Sequence, residues 1–146
     1  MRATLIVIAV VGAALVGATH ASARAMCTPK ISTSSRTFCG PARGTLKVGG
    51  KKYSFKGGYC QVQGPTWSLN IGTIALTGRP KHDYLGITMF SRKAGTHGAA
   101  VSWQTPGKNG SLLHAKVTIK PGLKKGTFTG RNAAGGGKAT GSFTCK

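Results

Sequence analysis

Acidic side chains are almost missing from this chain of 146 residues: there is no Glu, and Asp83 is the one Asp. That scarcity excludes whole classes of chemistry. Paired-carboxylate catalysis needs two carboxylates, and the side chains supply one. A Ca²⁺ or Mg²⁺ site usually draws on several Asp or Glu, so neither a hard-cation site nor a cofactor is expected. Helix-forming texture is lacking as well. Leu is sparse after residue 18, and no window sustains a helical period. Long apolar runs are also few, since Leu5–Ala18 is the single example. What the chain does have is positive charge, with 21 Lys and Arg for a formal net charge of +20.

The first residues read as an export signal and not as fold. Arg2 gives a positive start, Leu5–Ala18 an apolar core of 14 residues, and Ala21-Ser22-Ala23 a small-residue cleavage site. Those three parts together define a secretory signal. Spanning a bilayer takes roughly 20 residues, so a retained anchor is the weaker reading. The expected organisation is a signal peptide over residues 1–23, an irregular arm over 24–43 and a β-rich domain over 44–146. Cleavage after Ala23 removes one cation, Arg2, and leaves +19 over 123 residues. A lipid anchor is disfavoured, because Cys27 follows Arg24-Ala25-Met26 and lies well beyond the apolar core.

Cys27, Cys39, Cys60 and Cys145 all survive that cleavage. An even number in an exported protein points to two disulfides. No C-x-x-C spacing is present to favour zinc, and no metal site is expected. Of the three pairings, Cys27–Cys39 with Cys60–Cys145 is expected. The first would pin the Ser/Thr-rich arm, and the second would tie the last strand to an early one.

From Gly44 the texture changes to short runs of alternating polar and apolar residues. Lys52-Tyr53-Ser54-Phe55-Lys56 puts Tyr53 and Phe55 on one face and the lysines on the other, because side chains alternate along a strand. Leu112–Ile119 repeats the pattern, with Lys116, Thr118 and Lys120 opposite Val117 and Ile119. Further strand-like runs are Trp67–Ile71, Thr73–Thr77, Tyr84–Phe90, Ala99–Trp103, Gly126–Gly130 and Ala139–Thr144, and residues 91–98 read as loop. Turn signals such as Gly49-Gly50, Gly64-Pro65 and Pro106-Gly107 fall between them. The fold class is therefore all-β: an antiparallel sandwich or partly open barrel of about 7–9 short strands, disulfide-linked.

Tyr59-Cys60, Leu69-Asn70-Ile71-Gly72 and the closing Phe143-Thr144-Cys145, behind an export signal and a polar arm, resemble the mycobacterial lipoprotein-antigen type of small secreted actinobacterial antigen. The likeness covers residues 44–146. It implies a surface or secreted β-domain of bacterial origin whose Cys60 and Cys145 pair, without catalysis. Two departures limit it. That family is lipidated at a Cys directly after the signal, and it is not known for so basic a charge.

A nucleophilic triad needs a base and an orienting group. His82, His97 and His114 are available beyond the signal, but the one carboxylate, Asp83, is adjacent to His82 in a polar loop. Their spacings carry no zinc signature either. Gly135-Gly136-Gly137-Lys138 lacks the further residues of a phosphate-binding loop. Nucleic acid is a disfavoured partner, since alternation sends Tyr53 and Phe55 away from the lysines and leaves no interleaved stacking surface. The expected function is that of a non-enzymatic, monomeric, exported domain held electrostatically on anionic envelope polymers or lipid headgroups. Lys47, Lys52, Lys56, Lys116 and Lys120 are the candidate contacts. A secreted hydrolase with a His-based site and a cationic membrane-active protein are the alternatives.

Overall fold

The computed structural model describes residues 27–146. The expected signal peptide, its cleavage site and the first residues of the arm lie outside the described residues. The alternating runs form strands, and no helix occurs among the described residues. The strands are β1 (Lys30–Ile31), β2 (Ser35–Thr37), β3 (Arg43–Val48), β4 (Lys51–Lys56), β5 (Gly58–Gln63) and β6 (Thr66–Ala75). They continue with β7 (Tyr84–Met89), β8 (Gly95–Gly98), β9 (Ala100–Thr105), β10 (Lys108–Ile119), β11 (Lys125–Asn132) and β12 (Lys138–Thr144).

The strands join in one antiparallel sheet in the order β1-β2-β6-β7-β9-β10-β11-β12-β3-β4, with β5 on β6 and β8 on β10. The sheet folds over on itself without closing. Its two layers, β5-β6-β7-β9 and β10-β11-β12-β3-β4, meet through inward side chains. Trp67 of β6 lies 5.2 Å from Phe143 of β12, centroid to centroid, and Tyr53 of β4 stacks on Trp103 of β9 at 5.7 Å. Between them Leu46, Leu69, Ile71, Leu85, Ile87, Met89, Val117 and Ile119 are fully buried. Each such side chain contributes about 1.5–3 kcal/mol on leaving water.

Glycine inside strands usually weakens them, yet here it has a packing role. Phe128 pairs across from Gly141, Gly126 from Phe143, and Trp103 from Gly110. A Cβ on Gly141 would stand 2.2 Å from the Phe128 ring, and one on Gly110 would stand 2.7 Å from Trp103. The missing side chain is the space that each ring fills.

Both expected disulfides form, with Cα–Cα distances of 5.6 Å for Cys27–Cys39 and 5.8 Å for Cys60–Cys145. The second ties β5 of one layer to the end of β12 in the other. Other expectations need correcting. The strands number twelve where about 7–9 were expected, partly because short breaks divide longer runs. One such break is Gly57 between β4 and β5, where φ is +83°. Residues 91–98, expected as loop, contain β8, which pairs with the last part of β10. The two runs expected at Trp67–Ile71 and Thr73–Thr77 are one strand, β6, which passes through Gly72 and ends at Ala75, leaving Leu76 and Thr77 beyond it.

The strict alternation expected over Leu112–Ile119 is interrupted by a bulge. The register shifts between Leu113 and Lys116, and His114 takes φ +50°. Leu113 and His114 are both exposed before Ala115 turns inward. The arm is not wholly irregular either. β1 and β2 form a small hairpin, and β2 adds to β6 through Ser35–Ala75, Arg36–Ile74 and Thr37–Thr73. Phe38 then lies buried between Tyr59 and Tyr84, 5.9 Å from each ring, with Arg36 over it at 4.9 Å. Pairing with a distant strand fixes these residues, so their own composition gave no strand signal.

Candidate functional site: a cationic sheet face

On the layer β10-β11-β12-β3-β4 the inward positions are core, so the intervening positions face solvent. The register aligns these outward residues into rows that run across the strands. The first row is Lys116–Thr129–Thr140–Lys47–Lys52. Two residues further along each strand comes Thr96–Thr118–Thr127–Ser142–Thr45–Ser54, six hydroxyls on six strands, β8 included. The next row is Lys125–Thr144–Arg43–Lys56. Lys120 lies beside it, its backbone N–H donating to the Lys125 carbonyl at 2.8 Å. Beyond the first row, Arg131 pairs with Lys138. Threonine and serine thus occupy the middle, and nine cations surround them with no acidic residue on these strands.

Three cross-strand pairs on this face are like-charged: Lys47–Lys52, Arg43–Lys56 and Arg131–Lys138. Like charges directly opposite one another destabilise a sheet, so this arrangement works against the fold. Neighbouring hydroxyls bond to each other, Thr96 Oγ1 with Thr118 Oγ1 at 2.8 Å and Thr45 Oγ1 with Ser142 Oγ at 3.0 Å. A shallow depression of about 640 Å³ lies over Thr127, Thr129 and Thr140 and is bordered by Lys47, Lys52, Lys116 and Lys138. Anionic groups resting there would meet cations at either end and hydroxyl donors between them.

All five lysines singled out in the sequence lie on this face or at its margin. Lys47, Lys52, Lys56 and Lys116 are exposed on its strands, and Lys120 is exposed just beyond β10. Arg43, Lys125, Arg131 and Lys138 complete the set and were not expected. Lys125-Gly126-Thr127-Phe128-Thr129 carries the same alternation as β4 and could have revealed Lys125. Arg43 was hidden in what read as the arm, and Lys138 in what read as a glycine connection. The hydroxyl row could not be found in the same way, because its members come from strands as far apart as Thr45 and Ser142.

The histidines occupy separate settings. His82 borders a depression with Ser34, Ser35 and Lys81. His97 sits on β8, where its Nε2–H donates to the Lys93 carbonyl at 2.9 Å. With its proton committed there, that nitrogen is not free to accept one from Ser91 Oγ at 3.4 Å. His114 is exposed at the β10 bulge. No group of three or more His, Cys, Asp or Glu is arranged to hold a metal among the described residues. No helix among them is long and apolar enough to cross a membrane.

The Tyr84 hydroxyl, away from this face, is a perturbed titratable group. Burial pushes the Tyr84 hydroxyl above its ordinary value, and Arg36 partly offsets the effect. That hydroxyl donates to Asn70 Oδ1 at 2.8 Å. No family model, curated protein or solved structure matches the chain.

Proposed function

We propose that this chain is an exported, non-enzymatic domain whose cationic sheet face holds it on anionic cell-envelope polymers or lipid headgroups. One observation carries the reading: nine cations gathered on one layer, three pairs of them directly opposed, with no acid among them. Such a face loses stability by itself and recovers it when a polyanion neutralises the repulsion. The two disulfides accord with an oxidising compartment. The likeness to the mycobacterial lipoprotein antigens implies the same surface setting.

Attraction between exposed charges is screened by salt, with a Debye length of about 10 Å at 0.1 M ionic strength and about 3 Å at 1 M. Retention on isolated cell envelopes is therefore expected to fall steeply between low and high salt. The triple change Lys47→Gln, Lys52→Gln and Lys116→Gln should release the protein at lower salt than the unaltered chain. Retention that is indifferent both to salt and to these lysines rules the reading out.

A second reading, action on anionic membranes, draws on Phe90. Its side chain is 85 % exposed just before Arg92 and Lys93, and an apolar ring beside cations suits a lipid interface. Leakage from anionic but not neutral vesicles, abolished by Phe90→Ser, would favour it over passive adhesion.

A further inference from the structure

We infer that the hydroxyl row on the cationic face reads an anionic glycan laid across the strands, its charges on the flanking cations and its hydroxyls on Thr and Ser. This rests on the proposed polyanion-binding face and goes further, naming the chemistry of the ligand and the direction in which it lies.

The row runs perpendicular to the strands, and its steps are the interstrand spacing of about 4.8 Å, so six strands present it over about 24 Å. That is room for several linked sugar rings. Charge complementarity sets the sign of the ligand, and the position of the hydroxyls sets its kind. In the first row Thr129 and Thr140 lie between Lys116 on one side and Lys47 and Lys52 on the other. A hydroxyl is one donor and two acceptors, which complements the alcohols of a sugar as well as the oxygens of its acid groups. In the second row Thr127 lies between two bonded hydroxyl pairs, Thr96–Thr118 and Thr45–Ser142. β-Branched threonines have restricted χ1, so these groups are already oriented before a ligand arrives.

Nucleic acid fits the face less well. Single strands are held by bases stacking on exposed rings. The aromatic residues of these strands point the other way, with Phe55, Phe128 and Phe143 buried and Tyr53 stacked on Trp103. The surface offers hydroxyls where a stacking platform would be.

The test compares polygalacturonate, a carboxylated glycan, with polyacrylate, a carboxylate chain without hydroxyls, at matched carboxylate concentration and ionic strength. Wild-type protein should bind polygalacturonate roughly tenfold more tightly, about what one net hydrogen bond supplies. The variant T127V/T129V/T140V keeps both charge and β-branching. It should lose that tenfold on the glycan and bind polyacrylate as before. Equal affinity of the wild type for the two polymers overturns the inference without any variant, and so does an unaltered preference in the triple-threonine variant. Tighter binding of single-stranded DNA than of polygalacturonate at the same salt also overturns it and assigns the face to nucleic acid. In each of these cases, loss of all polymer binding in K47Q/K52Q/K116Q would leave the electrostatic reading standing.

Discussion

The two layers of the sheet bury similar apolar residues and present opposite surfaces. β5, β6, β7 and β9 contain no charged residue at all, and residues such as Gln61, Ser68, Asn70 and Ser102 occupy their outward positions. The facing layer carries eight cations on its outward strand positions, with Lys120 just beyond β10 as the ninth. Part of the uncharged layer is also covered, since the arm seats Phe38 against Tyr59 and Tyr84. Solubility does not require such segregation, and a charge that served only to keep the chain dissolved would gain stability from being spread out. Placing nine of the cations on one layer costs repulsion at three cross-strand pairs, and the strands that bear this cost also carry the hydroxyl rows.

The contrast can be tested first at the covalent tie between the layers. Cys60–Cys145 spans 85 residues, whereas Cys27–Cys39 spans 12 within the arm and its approach to β3. On the chain-entropy model these closures stabilise by about 4.5 and about 3 kcal/mol. Urea unfolding of C60A/C145A should therefore show the larger loss. Losing as much from C27A/C39A would mean that the arm holds the layers together as firmly as the direct bridge.

A smaller effect is expected from Lys52→Glu, which turns the Lys47–Lys52 repulsion into a cross-strand attraction. Thermal melting at low salt should show a gain of about 0.2–1 kcal/mol, shrinking as salt is added. Gln61→Glu on the uncharged layer has no cation directly opposite, because Gln61 pairs with Ser68, and should gain less. If the two substitutions behave alike, the like-charge pairs are not under strain and the contrast between layers is one of composition alone.

The finest distinction lies at Tyr84 on the outer side of the uncharged layer. Its folded-state pKa is raised above 10.0, chiefly by burial. The folded chain therefore holds this proton more tightly than the unfolded one. The resulting stabilisation is present below pH 10 and is lost as pH rises through the folded value. Unfolding measured across that alkaline range should show a decline in stability that Tyr84→Phe reduces.

Much of this was legible in the sequence because strand periodicity is local. Lys52 to Lys56 announces its own inward and outward faces, and Val117 and Ile119 do the same for Lys116 and Lys120. The number of cysteines announced two bridges but left three pairings open, and the expected one is the one that forms. What was hidden depends on register, which only folding sets. Nothing near Thr45 shows that Ser142 will stand beside it at 3.0 Å, or that Lys47 will stand between Thr140 and Lys52. The role of the glycines was hidden for a related reason. Gly126 and Gly141 lie in runs that read as strands, but nothing in those runs shows that each sits under a phenylalanine from the neighbouring strand. The bulge at His114 was equally silent, since an extra outward residue leaves the composition of the run unchanged.

The fit of ring to glycine within β11 and β12 separates two kinds of heredity in this protein. Because Phe128 and Phe143 take their space from Gly141 and Gly126, the inward register is set by a fit of ring to glycine on the face away from the outward side chains. The outer lattice can then be rewritten, threonine for lysine or lysine for threonine, while the fold beneath stays the same. Variation on this face would change which polymer is preferred, and variation among the buried glycines would change whether there is a face at all.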